Sequence, residues 1–269
     1  MKTKNILIFI LVTYLLTLIG GTVFFNQEIT ENIPNGLLVI LKVLFIPAII
    51  APLFTAALVK FIENGKSGIK ELFKYLIRKN TRFYWYLIAI IVPQIVHLLA
   101  SLIDSFRGTQ FLQPYGNADA SIIIIVLQIF LLAGIAEEMG WRAYLQPALQ
   151  KKLGSAFLSV IIGIVVAVWH LPLFFQQNDI HYNNSFVQFL VLMIVVAFIY
   201  TWLMDNTGNI LVLAIFHTSH DIASLSFSQT NHVSAIIVYG IVAVSIMLYF
   251  GPKFFSKIQH QSRKEPESL

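Results

Sequence analysis

The 269-residue sequence contains no cysteine. That excludes disulfides, thiolate metal ligands and a cysteine nucleophile. Charge is scarce as well: Asp, Glu, Lys and Arg together make up 12% of the chain, about half the share found in soluble domains. A glycine-rich phosphate loop is missing, which removes the usual sign of nucleotide binding. No internal repeat or pair of interrupted apolar segments is visible, and this weighs against a two-halved transporter. The apolar runs do not alternate with polar residues, so a transmembrane barrel is excluded as a reading.

What remains is largely apolar. Hydrophobic residues make up 57% of the chain, 22 of them Phe, and the mean hydropathy is +0.77, far above the soluble range. Runs of about 18 or more apolar residues predict spans near 5–25, 36–59, 83–103, 121–147, 156–175, 186–204, 210–226 and 233–251. The fold class expected is all-α, a polytopic transmembrane bundle of about eight helices, because each segment must satisfy its own backbone hydrogen bonds in lipid. The first span carries no small-residue cleavage signal and is read as retained.

Positive residues mark the cytoplasmic side. Fifteen of the 18 Lys and Arg fall in segments that one topology places together: Lys2 and Lys4; seven from Lys60 to Arg82; Lys151 and Lys152; four from Lys253 to Lys264. Both termini are therefore expected in the cytoplasm, with the protein in a cell membrane of bacterial type. The net charge of +5 is accounted for by this asymmetry and by anionic membrane lipids as partners, without nucleic acid. Three regions follow: 1–82, two spans and a basic amphipathic segment; 83–251, six helices; and 252–269, a polar cytoplasmic tail.

Charged groups at mid-bilayer cost about 2.5–3.5 kcal/mol on insertion scales, so those retained there point to function. The spans hold Lys42, His97, Glu137, Glu138, Arg142, His170, His217, His220 and Asp221. On an α-helix Arg142 lies about 40° from Glu138 but about 140° from Glu137. Glu138 and Arg142 thus read as a structural i,i+4 ion pair. Glu137 is left facing elsewhere, as a general base in a low-dielectric cavity would be. His170 precedes Pro172, which tends to end or kink a helix, although a lone His in an apolar helix can equally be a packing residue. His217 and Asp221 are i,i+4, a spacing that lets a carboxylate orient an imidazole or lets both bind one metal, or simply stabilises the helix. His97 is read as structural.

Three ordered patterns among these residues resemble the signature of the CPBP family of intramembrane proteases, the group of type II CAAX prenyl endopeptidases and bacteriocin-processing or self-immunity proteins. Glu137, Glu138 and Arg142 match its EExxxR. His170 matches FxxxH, with Val166 at the Phe position. His217 and Asp221 match a His followed four residues later by Asn or Asp. The resemblance covers about residues 121–250 and implies a catalytic core there.

That resemblance implies an endopeptidase in which Glu137 and His170 activate water while His217 and residue 221 stabilise the oxyanion. The substrate would be a peptide or lipopeptide, in peptide maturation, CAAX-type processing or bacteriocin self-immunity. The expected site opens towards the cytoplasm or inner leaflet. No cofactor is certain, but Glu137, His170, His217 and Asp221 are candidate ligands for Zn²⁺, so a metalloprotease and a glutamate-water enzyme stay open. An ionised Asp221 accepts but cannot donate a hydrogen bond, which leaves three roles for it: orienting His217, stabilising the oxyanion when protonated, or binding metal. The alternatives are a non-enzymatic immunity or scaffold protein and a proton-coupled transporter.

Overall fold

Apolar runs in this chain become helices because lipid offers the backbone no other hydrogen-bond partner. A computed structural model describes residues 3–25, 33–44, 46–109, 111, 121–177, 179–227, 232–253 and 255–256. Every extended regular element among them is helical: α1 (Thr3–Phe25), α2 (Asn35–Leu44), α3 (Ile46–Ile49), α4 (Ala51–Phe73), α5 (Tyr84–Ser105), α6 (Ser121–Gln128), α7 (Gln146–Gln150), α8 (Ser155–His170), α9 (Phe186–Thr207), α10 (Ile210–Ser226) and α11 (Val233–Phe250). Two π-helical stretches, Ile129–Glu137 and Met139–Leu145, join α6 to α7. Together, α6 through α7 form one composite helix that carries the glutamates.

The protein is an all-α, polytopic membrane bundle. Among the described residues, six helices are long and apolar enough to cross a membrane: Thr3–Gly20, Tyr84–Ser105, Ile123–Gln150, Ser155–Phe175, Phe186–Thr207 and Val233–Phe250; Ile210–Ser226 is a shorter apolar helix. The span expected at 36–59 is not one continuous helix. It breaks at Ile50, between α3 and the first half of α4, with Pro47 inside α3 and Pro52 in the first turn of α4. Each proline removes a backbone donor, which a helix start tolerates and a helix interior does not. Further on, α4 bends at Asn64 and Gly65, where Gly65 takes φ 59°. Lys60 Nζ spans the bend to Glu71 Oε2 at 3.0 Å and holds that carboxyl below the ordinary carboxylate range.

Buried aromatic and aliphatic side chains knit the helices together. Phe9 packs edge-on against Trp141, and Trp141 against Trp169, so α1 and α8 flank the composite helix. Packing of α10 is against α5 and the first π stretch, and that of α9 against α8 and α11. At one end, Lys152 Nζ reaches Thr3 Oγ1, and the Ser155 amide donates to the Lys253 carbonyl. Thr3, the bend of α4, the α7–α8 turn and the exit of α11 therefore share that end with most of the lysines.

Candidate active site

The composite helix reaches α10 through a glycine. A Cβ at Gly134 would sit 2.9 Å from the Ala214 carbonyl oxygen, too close for any side chain. This approach places Glu138, one turn on, opposite His217. Gly140 does the same against α4, where a Cβ would meet Pro52 at 2.4 Å. Glu137 ends the first stretch of i→i+5 hydrogen bonding, and Glu138 stands at the junction with the second. Such winding is rare and occurs frequently at functional sites. Nothing in the apolar periodicity announces it.

Glu138 is 4% exposed and holds two partners from different helices. Its Oε2 lies 3.5 Å from Arg142 Nε, and its Oε1 accepts from His217 Nδ1 at 2.9 Å. Arg142, 3% exposed, also donates from Nη1 to Gln146 Oε1 and Thr201 Oγ1 and lies over the Tyr200 ring, 5.0 Å from its centroid. A buried charge on either residue is thus compensated, as burial requires. The Glu138–Arg142 pair expected from spacing is present, and Glu138 has a second task that spacing could not reveal. It fixes the His217 ring by taking its Nδ1 proton donor.

Glu137 is half-buried, with the Trp141 indole beside it and His217 and Asp221 within electrostatic reach. His170 is the last residue of α8. The chain passes there into a 3₁₀ turn, Leu171–Phe175, with Pro172 near its start. Its Nδ1 donates to the Val166 carbonyl at 2.9 Å, which leaves Nε2 as the acceptor of the neutral ring. Because residue 166 contributes its backbone, Val in place of Phe does not affect that contact. Asp221 Oδ2 lies 3.7 Å from His217 Nε2, beyond hydrogen-bond range. The carboxylate that orients His217 is therefore Glu138, and Asp221 faces the opposite edge of the ring.

One further group escaped the sequence reading. His181, in the segment between α8 and α9, has its Nδ1 2.6 Å from Asp179 Oδ1 and its ring 6.0 Å from that of His170. The Asp-x-His spacing was its only sequence signal. Behind α10, His220 Nδ1 lies 2.8 Å from the Tyr239 hydroxyl and 3.2 Å from His97 Nε2, all three being buried. His220 thus belongs to a polar layer between α5, α10 and α11 and not to the His217 face. The Lys42 side chain lies outside the described part of the structure.

Among the described residues no three His, Cys, Asp or Glu side chains converge as a metal site. His170 and His217 each commit Nδ1 to a protein acceptor, an arrangement that leaves Nε2 open to a ligand, but no group of three donors forms around either ring among the described residues. This donor set does not fit Zn²⁺ as it stands.

His170 and Asp221 lie towards the end of the bundle away from the lysines, while Glu137 and Glu138 stand near the middle of the composite helix. α10 starts where the Ile210 amide donates to the Tyr75 carbonyl in the basic segment. Asp221 comes eleven residues later, roughly 16 Å along the helix, and its side chain is 32% exposed. His170 likewise closes α8, at the far end from Ser155.

A model of the type II CAAX prenyl endopeptidase Rce1-like family matches residues 119–223, the stretch that holds all six motif residues. CAAX prenyl protease 2 of Methanococcus maripaludis is 29% identical over 263 residues, covering 92% of this chain and 93% of that protein. Both similarities support a place for the chain in the CPBP family of intramembrane proteases. Lysostaphin resistance protein A of Staphylococcus haemolyticus is 25% identical over 145 residues, 53% of this chain and 37% of that protein. With several apolar helices and this similarity to membrane proteases, the chain is a multi-pass membrane protein.

Proposed function

We propose that the protein is an intramembrane endopeptidase that hydrolyses a peptide bond in or near the membrane with water activated by Glu137 and His170. The observation that carries this reading is the division of labour between adjacent glutamates: Glu138 is spent on Arg142 and His217, and Glu137 faces the half-open side of the site. Glu137 takes a proton from water as the water oxygen bonds to the carbonyl carbon. The C–N bond then breaks, and that proton passes to the leaving amine. His170 accepts a hydrogen bond from the same water through Nε2. His217, held through Nδ1, presents Nε2 to the developing oxyanion and donates there when doubly protonated. Asp221 sits beside that nitrogen and tunes it. No step passes through a metal.

The lysine count supports an orientation in the cell membrane with both termini cytoplasmic. On that orientation the Asp221 end opens on the outer half, and the substrate is a peptide reached from outside or within the bilayer. This favours maturation or self-protection against an external peptide over processing of a cytoplasmic CAAX terminus. The partial similarity to a resistance protein is in keeping with it. The test uses purified protein in liposomes, a peptide library and ¹⁸O water, with products read by mass spectrometry. Cleavage products carrying one ¹⁸O, formed equally after chelator treatment, are the expected result. An absence of cleavage across the library would favour an immunity or scaffold protein, and loss of activity on chelation would reinstate the metalloprotease.

A further inference from the structure

At the lysine-bearing end, the segment after the α4 bend folds against the composite helix and leaves a cleft of about 470 Å³. Lys60, Lys74, Arg78 and Lys151 line it, and the only carboxylate in its wall among the described residues is Glu71. Glu71 is already held by Lys60. That leaves Lys74, Arg78 and Lys151 with no ion-pair partner among the described residues.

Arg78 is positioned as well as charged. Its Nη1 lies 2.7 Å from where a Cβ would stand at Gly208, and Gly208 closes α9 with φ 55°. The guanidinium rests beside that glycine at the edge of the cleft. Arg fits phosphate oxygens in two-point contacts, and Lys adds compact charge. Beside the cations the wall turns apolar at Pro147, half-buried, with Ala143 and Ala148 buried behind it, residues of a membrane-crossing helix. A phosphate at the rim with hydrocarbon below it matches both surfaces.

We propose that this cleft binds a phosphate group, that of an anionic membrane lipid with its glycerol and chains lying along the apolar wall. Basic pockets between transmembrane helices on the cytoplasmic side bind such headgroups. The ligand would tie the basic segment to the helix that carries Glu137 and Glu138, independently of whether that site cleaves peptides. A free phosphate shares the headgroup chemistry but would gain nothing from the apolar wall.

The experiment uses the full-length protein in neutral detergent, titrated with phosphatidylglycerol, phosphatidylcholine or inorganic phosphate. Thermal melts and retained lipid by native mass spectrometry are the readouts. Wild type should retain one phosphatidylglycerol and melt about 5 °C higher at a hundredfold excess over Kd. Lys74→Gln/Arg78→Gln/Lys151→Gln should weaken that response about tenfold or more. Lys152→Gln/Lys253→Gln, which removes charge nearby but outside the cleft, should not. Arg78→Lys alone should give an intermediate loss, a readout that survives if the triple variant folds poorly. A full response to inorganic phosphate would keep the phosphate site and assign it to the free ion. An equal response to phosphatidylcholine, or equal behaviour of the cleft and control variants, would overturn the proposal.

Discussion

The two ends of this bundle spend charge in opposite ways. At the lysine end, Lys74, Arg78 and Lys151 stand exposed and unpaired among the described residues, where water and headgroups screen them. At the other end, Glu137, Glu138, His170, His217 and Asp221 are wholly or partly buried, and those with known contacts are held by named atoms. A buried polar chain joins the two ends: Glu138 to Arg142, Arg142 to Gln146, and Gln146 Nε2 to Asp205 Oδ1 at 3.1 Å. Asp205 also accepts from Gln150 and Ser155. Removing one group should therefore cost little at the solvated end and much along the buried chain.

The largest effect should come from His217→Ala, which removes the ring that Glu138 holds and the proposed oxyanion donor. Turnover should fall about a thousandfold with the fold retained by circular dichroism; a fall under tenfold would detach His217 from the chemistry. Next comes Glu138→Gln. It leaves Arg142 buried without its counter-ion, so stability should drop by about 3–5 kcal/mol, read by thermal and denaturant melts in detergent. An unchanged melt would mean that Thr201, Gln146 and Tyr200 suffice for Arg142. Gly134→Val pushes the composite helix off α10 and should cost about 1–3 kcal/mol together with activity, since the Glu138–His217 distance depends on that approach.

Smaller effects sharpen the contrast. Asp221→Asn keeps a polar group beside His217 Nε2 and should retain turnover within about tenfold, and Asp221→Ala should lose more. Equal loss in both variants would show that the negative charge itself is needed. At the lysine end, Lys151→Gln should change stability by less than about 0.5 kcal/mol. Single cysteines at Ser67 and Gln177 in this cysteine-free chain should label from opposite sides, Ser67 from the cytoplasm. Labelling of Gln177 from the cytoplasm would turn the site, and its substrate, inward.

Much of this contrast was legible in the sequence for physical reasons. The spans at 83–103, 156–175, 186–204 and 233–251 agree closely with α5, α8, α9 and α11, because unbroken apolar runs of that length have one solution in lipid. The span at 36–59 misled because composition outweighed Pro52, which restarts the helix after the break at Ile50. Helical spacing found the Glu138–Arg142 pair, an interaction local to one helix. It could not find Glu138 with His217, 79 residues apart, nor the π winding that presents them, nor His181 reaching His170 from a connecting segment. Those depend on helices meeting at Gly134 and Ala214, which only the folded chain displays.

The central claim is that two adjacent glutamates divide the work, Glu137 acting on water and Glu138 holding Arg142 and His217. Its most direct test is Glu137→Gln, which keeps the volume and removes the base. Single-turnover cleavage and thermal melting are measured on the same preparation, beside wild type. The account predicts turnover lowered by at least about a hundredfold with Tm within about 2 °C of wild type. Wild-type turnover by Glu137→Gln, or a collapse in Tm matching that of Glu138→Gln, would contradict it.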